Sequence, residues 1–179
     1  MLNREESILV VIDVQGNLAQ QMHKKEMLFD SLAKMIRGAQ VLDIPIIWVE
    51  QNPKGLGETI SSIASLLADS PKVSKSTFSC VGDKEFLKLL EKTSKTQVIL
   101  VGIEAHVCVY QTALDLLSNA YQVTVVTDAI SSRTKENKLL ALENLRAAGA
   151  LMSSVEMALF EMLKKAEGPE FKKIIKIVK

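Results

Sequence analysis

The chain predicts an α/β fold, a three-layer α/β/α sandwich of Rossmann-like type around a mostly parallel sheet of about six strands. Short runs rich in Val and Ile, apolar on both faces, recur along its length. Between them lie segments with apolar residues at helical spacing. No repeat, low-complexity stretch or linker interrupts this alternation, so residues 1–179 are expected to form a single domain.

Ser7–Asp13 (SILVVID) reads as the first strand, because its β-branched run has no polar face. Lys25–Leu42 follows as a helix with Leu28, Leu32, Met35, Ile36 and Ala39 inward. Pro45–Glu50 (PIIWVE) is a strand that begins at a proline, where a missing N–H costs least. Asn52–Gly57 (NPKGLG) is punctuated as a loop, Ile60–Leu67 as a short helix and Lys72–Lys75 as a short strand.

Asp83 caps a helix through Glu91. Gln97–Val101 (QVILV) is a strand with Gly102 as the turn after it, leading to a helix over 106–119. Gln122–Thr127 is a strand, and Lys135–Ala148 a helix stopped by Gly149. A weak strand near 150–152, a helix over 154–166 and a basic amphipathic helix over about 168–179 complete the chain. The core is placed at about 7–165, with the last helix docked on its own domain or on a neighbouring subunit.

Twenty-two basic residues face 21 acidic ones, for a formal net charge of +1. That balance gives no general attraction to nucleic acid or an anionic membrane, and neither is expected as a partner. The first apolar run, Ile8–Ile12, is too short for a signal peptide or a membrane span. Cys80 and Cys108 form no metal-like or CxxC cluster, so the expected compartment is the reducing cytoplasm.

Parallel sheets bind ligands beyond the carboxyl ends of their strands. The residues that fall there include Asp13, Glu50–Asn52, Lys75, Glu104–Cys108 and Asp128. A thiol attacks as its thiolate, which needs a base, a cation or a helix N-terminus nearby. Cys108, in the first turn of its helix, could be activated by that terminus, by Asp13 as base and by Lys75 as the neighbouring cation. Spacing alone leaves this open beside the structural alternative, a cysteine filling a hole, an aspartate capping a turn and a solvated lysine.

Three segments, ILVVIDVQ (8–15), KSTFSC (75–80) and VGIEAHVCV (101–109), resemble the ordered signatures of the isochorismatase-like cysteine hydrolases. The resemblance runs over roughly 7–165 and implies a catalytic Asp13, Lys75 and Cys108. WVEQNPKGLG (48–57) and TDAISSR (127–133) are most similar to the small isochorismatase-domain proteins of undefined substrate. The resemblance further implies a non-proline cis peptide at Ile103–Glu104, with the backbone N–H groups of Glu104 and Cys108 serving an oxyanion.

Two departures stand out. Many relatives carry Thr and an acid before the nucleophile, where this chain has Ala105–His106, so His106 is a candidate substrate contact with an ordinary solvent-facing histidine as its alternative. Nicotinamidases hold a metal through histidines after the second strand, where this chain reads EQNPKG. No metal or other cofactor is therefore expected, and nicotinamidase activity is disfavoured. Gln15 and Asn52 are further candidates to line the pocket, each equally able to bind local backbone. Cys80 is read as packing.

The expected function is metal-independent hydrolysis of a small amide or related C–N bond through a thioester-type intermediate, by a homo-oligomer. The alternative is a binding or scaffold protein that keeps the fold with little turnover. A dinucleotide-binding dehydrogenase is a weaker option, because Gly16 begins no GxGxxG run.

Overall fold

A computed structural model describes residues 1–179. Six strands, β1 (Ser7–Ile12), β2 (Ile46–Gln51), β3 (Lys72–Lys75), β4 (Gln97–Ile103), β5 (Gln122–Ser131) and β6 (Leu151–Ser153), form one sheet in the order β3-β2-β1-β4-β5-β6. Every pairing is parallel. The expected three-layer α/β class is the observed one.

The apolar runs explain the layers. Alternate residues of β1 enter two different cores: Leu9 and Val11 face α2 (Lys25–Val41) and α8 (Val155–Leu163), while Ile8, Val10 and Ile12 face the layer of α5 (Lys84–Lys92), α6 (Tyr110–Ser118) and α7 (Lys135–Ala147). A strand with no polar face must be covered twice, which is what a central parallel strand requires. Side-chain caps start the helices where the sequence placed them. Asp83 accepts from the Glu85 and Phe86 N–H groups, Thr134 from Asn137 and Ser154 from Met157.

β1 leaves the sheet's centre toward β2 on one side, and the chain returns to β1's other side as β4. The carboxyl ends of β1 and β4 thus flank the point where strand order reverses, the customary ligand crevice of such sheets. Gly102 makes their close approach there possible. It has φ +115°, and a Cβ on it would stand 2.0 Å from the Ile12 carbonyl oxygen.

Several boundaries differ from expectation. Gly102 lies inside β4, which continues to Ile103, because its backbone still pairs with Ile12. β5 runs to Ser131 instead of Thr127: Leu100 pairs with Val125 but Gly102 with Ile130, so an irregularity absorbs the polar residues between. Asp128 is consequently not at a strand end. Its carboxylate accepts from the Val155 N–H at the start of α8. The helix expected over 106–119 is a π-helical turn, Ala105–Val109, continued by α6.

A short helix α1 (Gly16–Gln20) lies between β1 and α2, another, α3 (Pro53–Leu56), occupies the stretch expected to be a loop, and α4 (Ser61–Ala64) is shorter than expected. The basic terminal helix α9 (Gly168–Val178) docks on α2, with Ile174 fully buried and Arg4 bridging Asp43 and Glu170. No helix is long and apolar enough to cross a membrane.

Candidate active site

Asp13 is the first residue past β1 and adopts the left-handed conformation at φ +53°. Asp tolerates this region better than most residues. Its N–H is held by the Val49 carbonyl and its own carbonyl by the Gln15 N–H, so the turn is pinned on both sides. The side chain is buried.

Lys75 closes β3, two strands away, and reaches across the end of β2. Its ammonium is fully buried and donates to Asp13 Oδ2 at 3.0 Å, Gln51 Oε1 at 2.6 Å and the Thr77 carbonyl at 3.0 Å. Those three bonds use the three N–H groups an ammonium has. Asp13 Oδ1, by contrast, is buried with no hydrogen-bond partner of regular geometry. Besides Lys75, the polar groups that meet the Asp13 carboxylate are the Cys108 thiol and the Gln51 backbone N–H.

Cys108 sits in the π-helical turn beyond β4. The Glu104 carbonyl accepts from the Val107 and Val109 N–H groups, bonds that straddle Cys108. The Ile103–Glu104 peptide bond is cis. Asp13 and Cys108 line one cavity of about 100 Å³, whose walls are otherwise largely apolar: Leu18, Leu56, Phe78, Ile103 and Val107. A larger open depression of about 820 Å³ lies at the opposite ends of the strands, beside Pro45 and Pro71, and is lined by no cysteine or histidine.

Burial raises the Asp13 carboxyl above its ordinary range, although Lys75 and the Cys108 thiol both pull it down. Burial also pushes the Cys108 thiol up, and the Asp13 charge adds to this while Lys75 opposes it. The sequence suggested a thiolate held at a helix N-terminus. The Cys108 thiol faces the buried Asp13 carboxyl, and burial disfavours the charged form of each, so the two groups titrate as a coupled pair. Cys80 is fully buried, its N–H bonded to the Thr112 hydroxyl, and burial pushes its thiol up to about 12.

The remaining candidates lie around this centre. Gln15 is fully buried, donating to the Gln51 and Gly57 carbonyls and accepting from the Gln51 N–H, so it ties the end of β2 to the α3 segment. Asn52 is an exposed residue at φ +37° whose carbonyl starts α3. His106 is half-buried with Nδ1 2.9 Å from the Ser132 hydroxyl oxygen. None of these three lines the Cys108 cavity; they bind local backbone or a neighbouring side chain. Glu104 does line it, and its Oε1 accepts from Arg133 through both the backbone N–H and Nε.

Sequence reasoning placed Gln51 at the carboxyl ends of the strands but gave it no role, where it is an acceptor that helps aim Lys75, and it missed the apolar rim of Leu56 and Phe78. Gln51 closes β2, one residue beyond Glu50, and Phe78 lies within KSTFSC, so Phe78 could have been raised by position as well.

The family model of the Isochorismatase domain matches residues 7–157. A secreted isochorismatase effector, Isc1, of Phytophthora sojae is 39% identical over 177 residues, which is 97% of this chain and 84% of that protein. Among solved structures, MAR1 ribonuclease from Caenorhabditis elegans superposes with a TM-score of 0.92 at 35% identity, covering 99% of this chain and 91% of that one. The Escherichia coli YcaC gene product, described as an octameric hydrolase of unknown specificity, has a TM-score of 0.93 at 19% identity over 98% of this chain and 89% of its own.

Proposed function

From the premise that this chain belongs to the isochorismatase family, we propose that it is a metal-independent cysteine hydrolase of a small amide or related C–N bond. One observation carries the reading: a buried carboxylate oxygen of Asp13 without a regular partner, beside the Cys108 thiol in a shared cavity, with the other oxygen fixed by Lys75. Asp13 takes the thiol proton as sulfur forms a bond to the carbonyl carbon. The oxyanion is received by backbone N–H groups of Glu104 and Cys108. Asp13 returns the proton to the leaving nitrogen as the C–N bond breaks, leaving a thioester. Water attacks the thioester carbon and gives its proton to Asp13, and the carboxylic acid and the free thiol are released. Lys75 keeps Asp13 ionised between these transfers.

The mechanism needs a free thiol, which suits a reducing compartment such as the cytoplasm, and neither cysteine is in a disulfide. Self-association is part of the proposal. Met27 and Leu139, both exposed, line one surface depression, and E. coli YcaC is octameric. Intact-mass and peptide mass spectrometry after mild alkylation at pH 7 tests the chemistry, with turnover assayed over simple amides, carbamoyl compounds, nicotinamide and isochorismate. Cys108 is expected to label well before Cys80. Faster labelling of Cys80 would refute an activated Cys108.

A further inference from the structure

We infer that the chain carries a second small-molecule site, separate from Cys108, that takes a small phosphate monoester. The site is the cleft of about 310 Å³ between the start of α2, the first turns of α7 and the carboxyl end of β5. None of its lining residues lines the Cys108 cavity, so the inference does not depend on the hydrolase chemistry.

Unpaired positive charge is the first argument. Lys24, Lys135 and Lys138 all line the cleft, and none of them makes an ion pair. The acid among the lining residues is Asp128, whose two oxygens both accept from the Val155 N–H. His23 is the remaining titratable group. Lys138 is half-buried, and burial lowers its pKa; Asp128 opposes that shift, while the charge of Lys24 adds to it. A dianion in the cleft would supply the counter-charge that these ammonium groups lack.

The backbone gives the second argument. α2 is a 17-residue helix whose N-cap is Lys24, in the left-handed conformation at φ +53°, and no side chain caps its first turn. That turn brings free N–H groups and the positive end of the helix to the edge of the cleft where Lys24 stands. The entry to α2 is also held in place. The His23 N–H donates to the Ser132 carbonyl at 2.9 Å, and the Ser131 hydroxyl donates to the His23 carbonyl at 2.8 Å. A ligand therefore meets donors that are already positioned.

Size and lining define the rest of the ligand. A cleft of about 310 Å³ stands at the low end of small-molecule sites. A phosphate group, roughly the volume of two to three waters, fills only part of it. The remaining wall is apolar, formed by Met27, Leu28, Ile130 and Leu139. A phosphate monoester with a short apolar body satisfies both halves. It carries close to two negative charges above its second pKa of about 6, where a carboxylate carries one.

Isothermal titration calorimetry on the full chain at pH 7.5 and low salt tests the site with phenyl phosphate, inorganic phosphate and benzoate. Phenyl phosphate is expected to bind with Kd below about 1 mM, inorganic phosphate more weakly, and benzoate at least about tenfold more weakly than phenyl phosphate. Lys138→Gln and Lys24→Gln should each weaken phenyl phosphate binding about tenfold or more. Lys24 is exposed, so its replacement keeps the test readable should Lys138→Gln disturb folding. Lys172→Gln, on the exposed side of α9, should leave binding unchanged. Equal affinity for benzoate would overturn the phosphate assignment. No binding, or binding indifferent to both cleft variants, would overturn the site. Failure of all three probes, with a lower sedimentation coefficient for Lys138→Gln, would overturn it in favour of a carboxylate from a second copy.

Discussion

Lys75 Nζ and Asp13 Oδ2 stand 3.0 Å apart, and both side chains are almost entirely closed to solvent. A pair so placed is energetically asymmetric. Making it gains little over an apolar pair, but breaking it strands a charge in low dielectric. Lys75→Met should therefore destabilise the fold by about 3–5 kcal/mol. Asp13→Asn should cost less, because an amide oxygen can still accept from Lys75. The double variant should cost less than the sum of the two, and denaturant unfolding of all four proteins measures the difference. Additivity within about 0.5 kcal/mol would show that the two residues are not coupled. Lys75→Arg should recover stability only in part, since a planar fork cannot match three acceptors arranged around one ammonium.

The same two groups set a pH signature. Asp13 must be ionised to accept the thiol proton, and burial raises its pKa. Alkylation of Cys108 should therefore fall, as acid is added, at a pH above the ordinary aspartate value of about 3.9. On the alkaline side the thiol ionises by itself, but later than a free cysteine, because burial and the Asp13 charge both disfavour the thiolate. Asp13→Asn removes the base and one cause of the raised thiol pKa together. Its neutral-pH rate should drop, while its alkaline rise should move to lower pH. A rise that stays in place after Asp13→Asn would mean that the two groups do not share a proton.

The centre of this site was legible because its three residues sit at predictable places: one residue past β1, the last residue of β3 and the turn after β4. Strand ends can be read from where an apolar run stops. What surrounds them could not be read that way. The π-helical turn depends on the Val109 N–H reaching the Glu104 carbonyl, a backbone choice that no side-chain pattern encodes. Gln15 and Gln51 are both polar residues at strand ends, yet one is a buried clamp and the other lines the cavity. Only the path of the α3 segment above them decides which. The full length of β5 was hidden by Thr127 and Asp128, polar residues that the irregular β4–β5 pairing accommodates.

Gly102 and Gly149 offer a controlled comparison of close packing with backbone strain. Both have positive φ, +115° and +100°, but a Cβ at Gly102 would overlap the Ile12 carbonyl whereas one at Gly149 meets nothing within 4 Å. Gly149→Ala should cost about 1–2 kcal/mol, the penalty of an L-residue in that conformation. Gly102→Ala should cost roughly 3 kcal/mol or more, because strain and overpacking add. It should also slow Cys108 alkylation, since it forces apart the strands that carry Asp13 and Cys108. Equal midpoints for the two variants in chemical denaturation would contradict the close approach of β1 and β4.

Gln15 separates a support from a substrate contact. Its amide makes three hydrogen bonds to backbone, two of them to Gln51, and Gln51 in turn accepts from Lys75. Gln15→Leu leaves the Gln51 N–H and two carbonyls without that partner, which should cost about 1–3 kcal/mol. For a chain of this length the melting temperature should then fall by roughly 2–12 °C, at about 2–4 °C for each kcal/mol. Loosening Gln51 should also let Lys75 drift from Asp13, so Cys108 alkylation should slow for charged and uncharged reagents alike. A residue that bound substrate directly would behave otherwise. Its loss would change the ratio between iodoacetamide and N-benzyl iodoacetamide and leave the melting temperature where it was. That second pattern in Gln15→Leu would return Gln15 to the substrate-binding role that its place in the sequence first suggested.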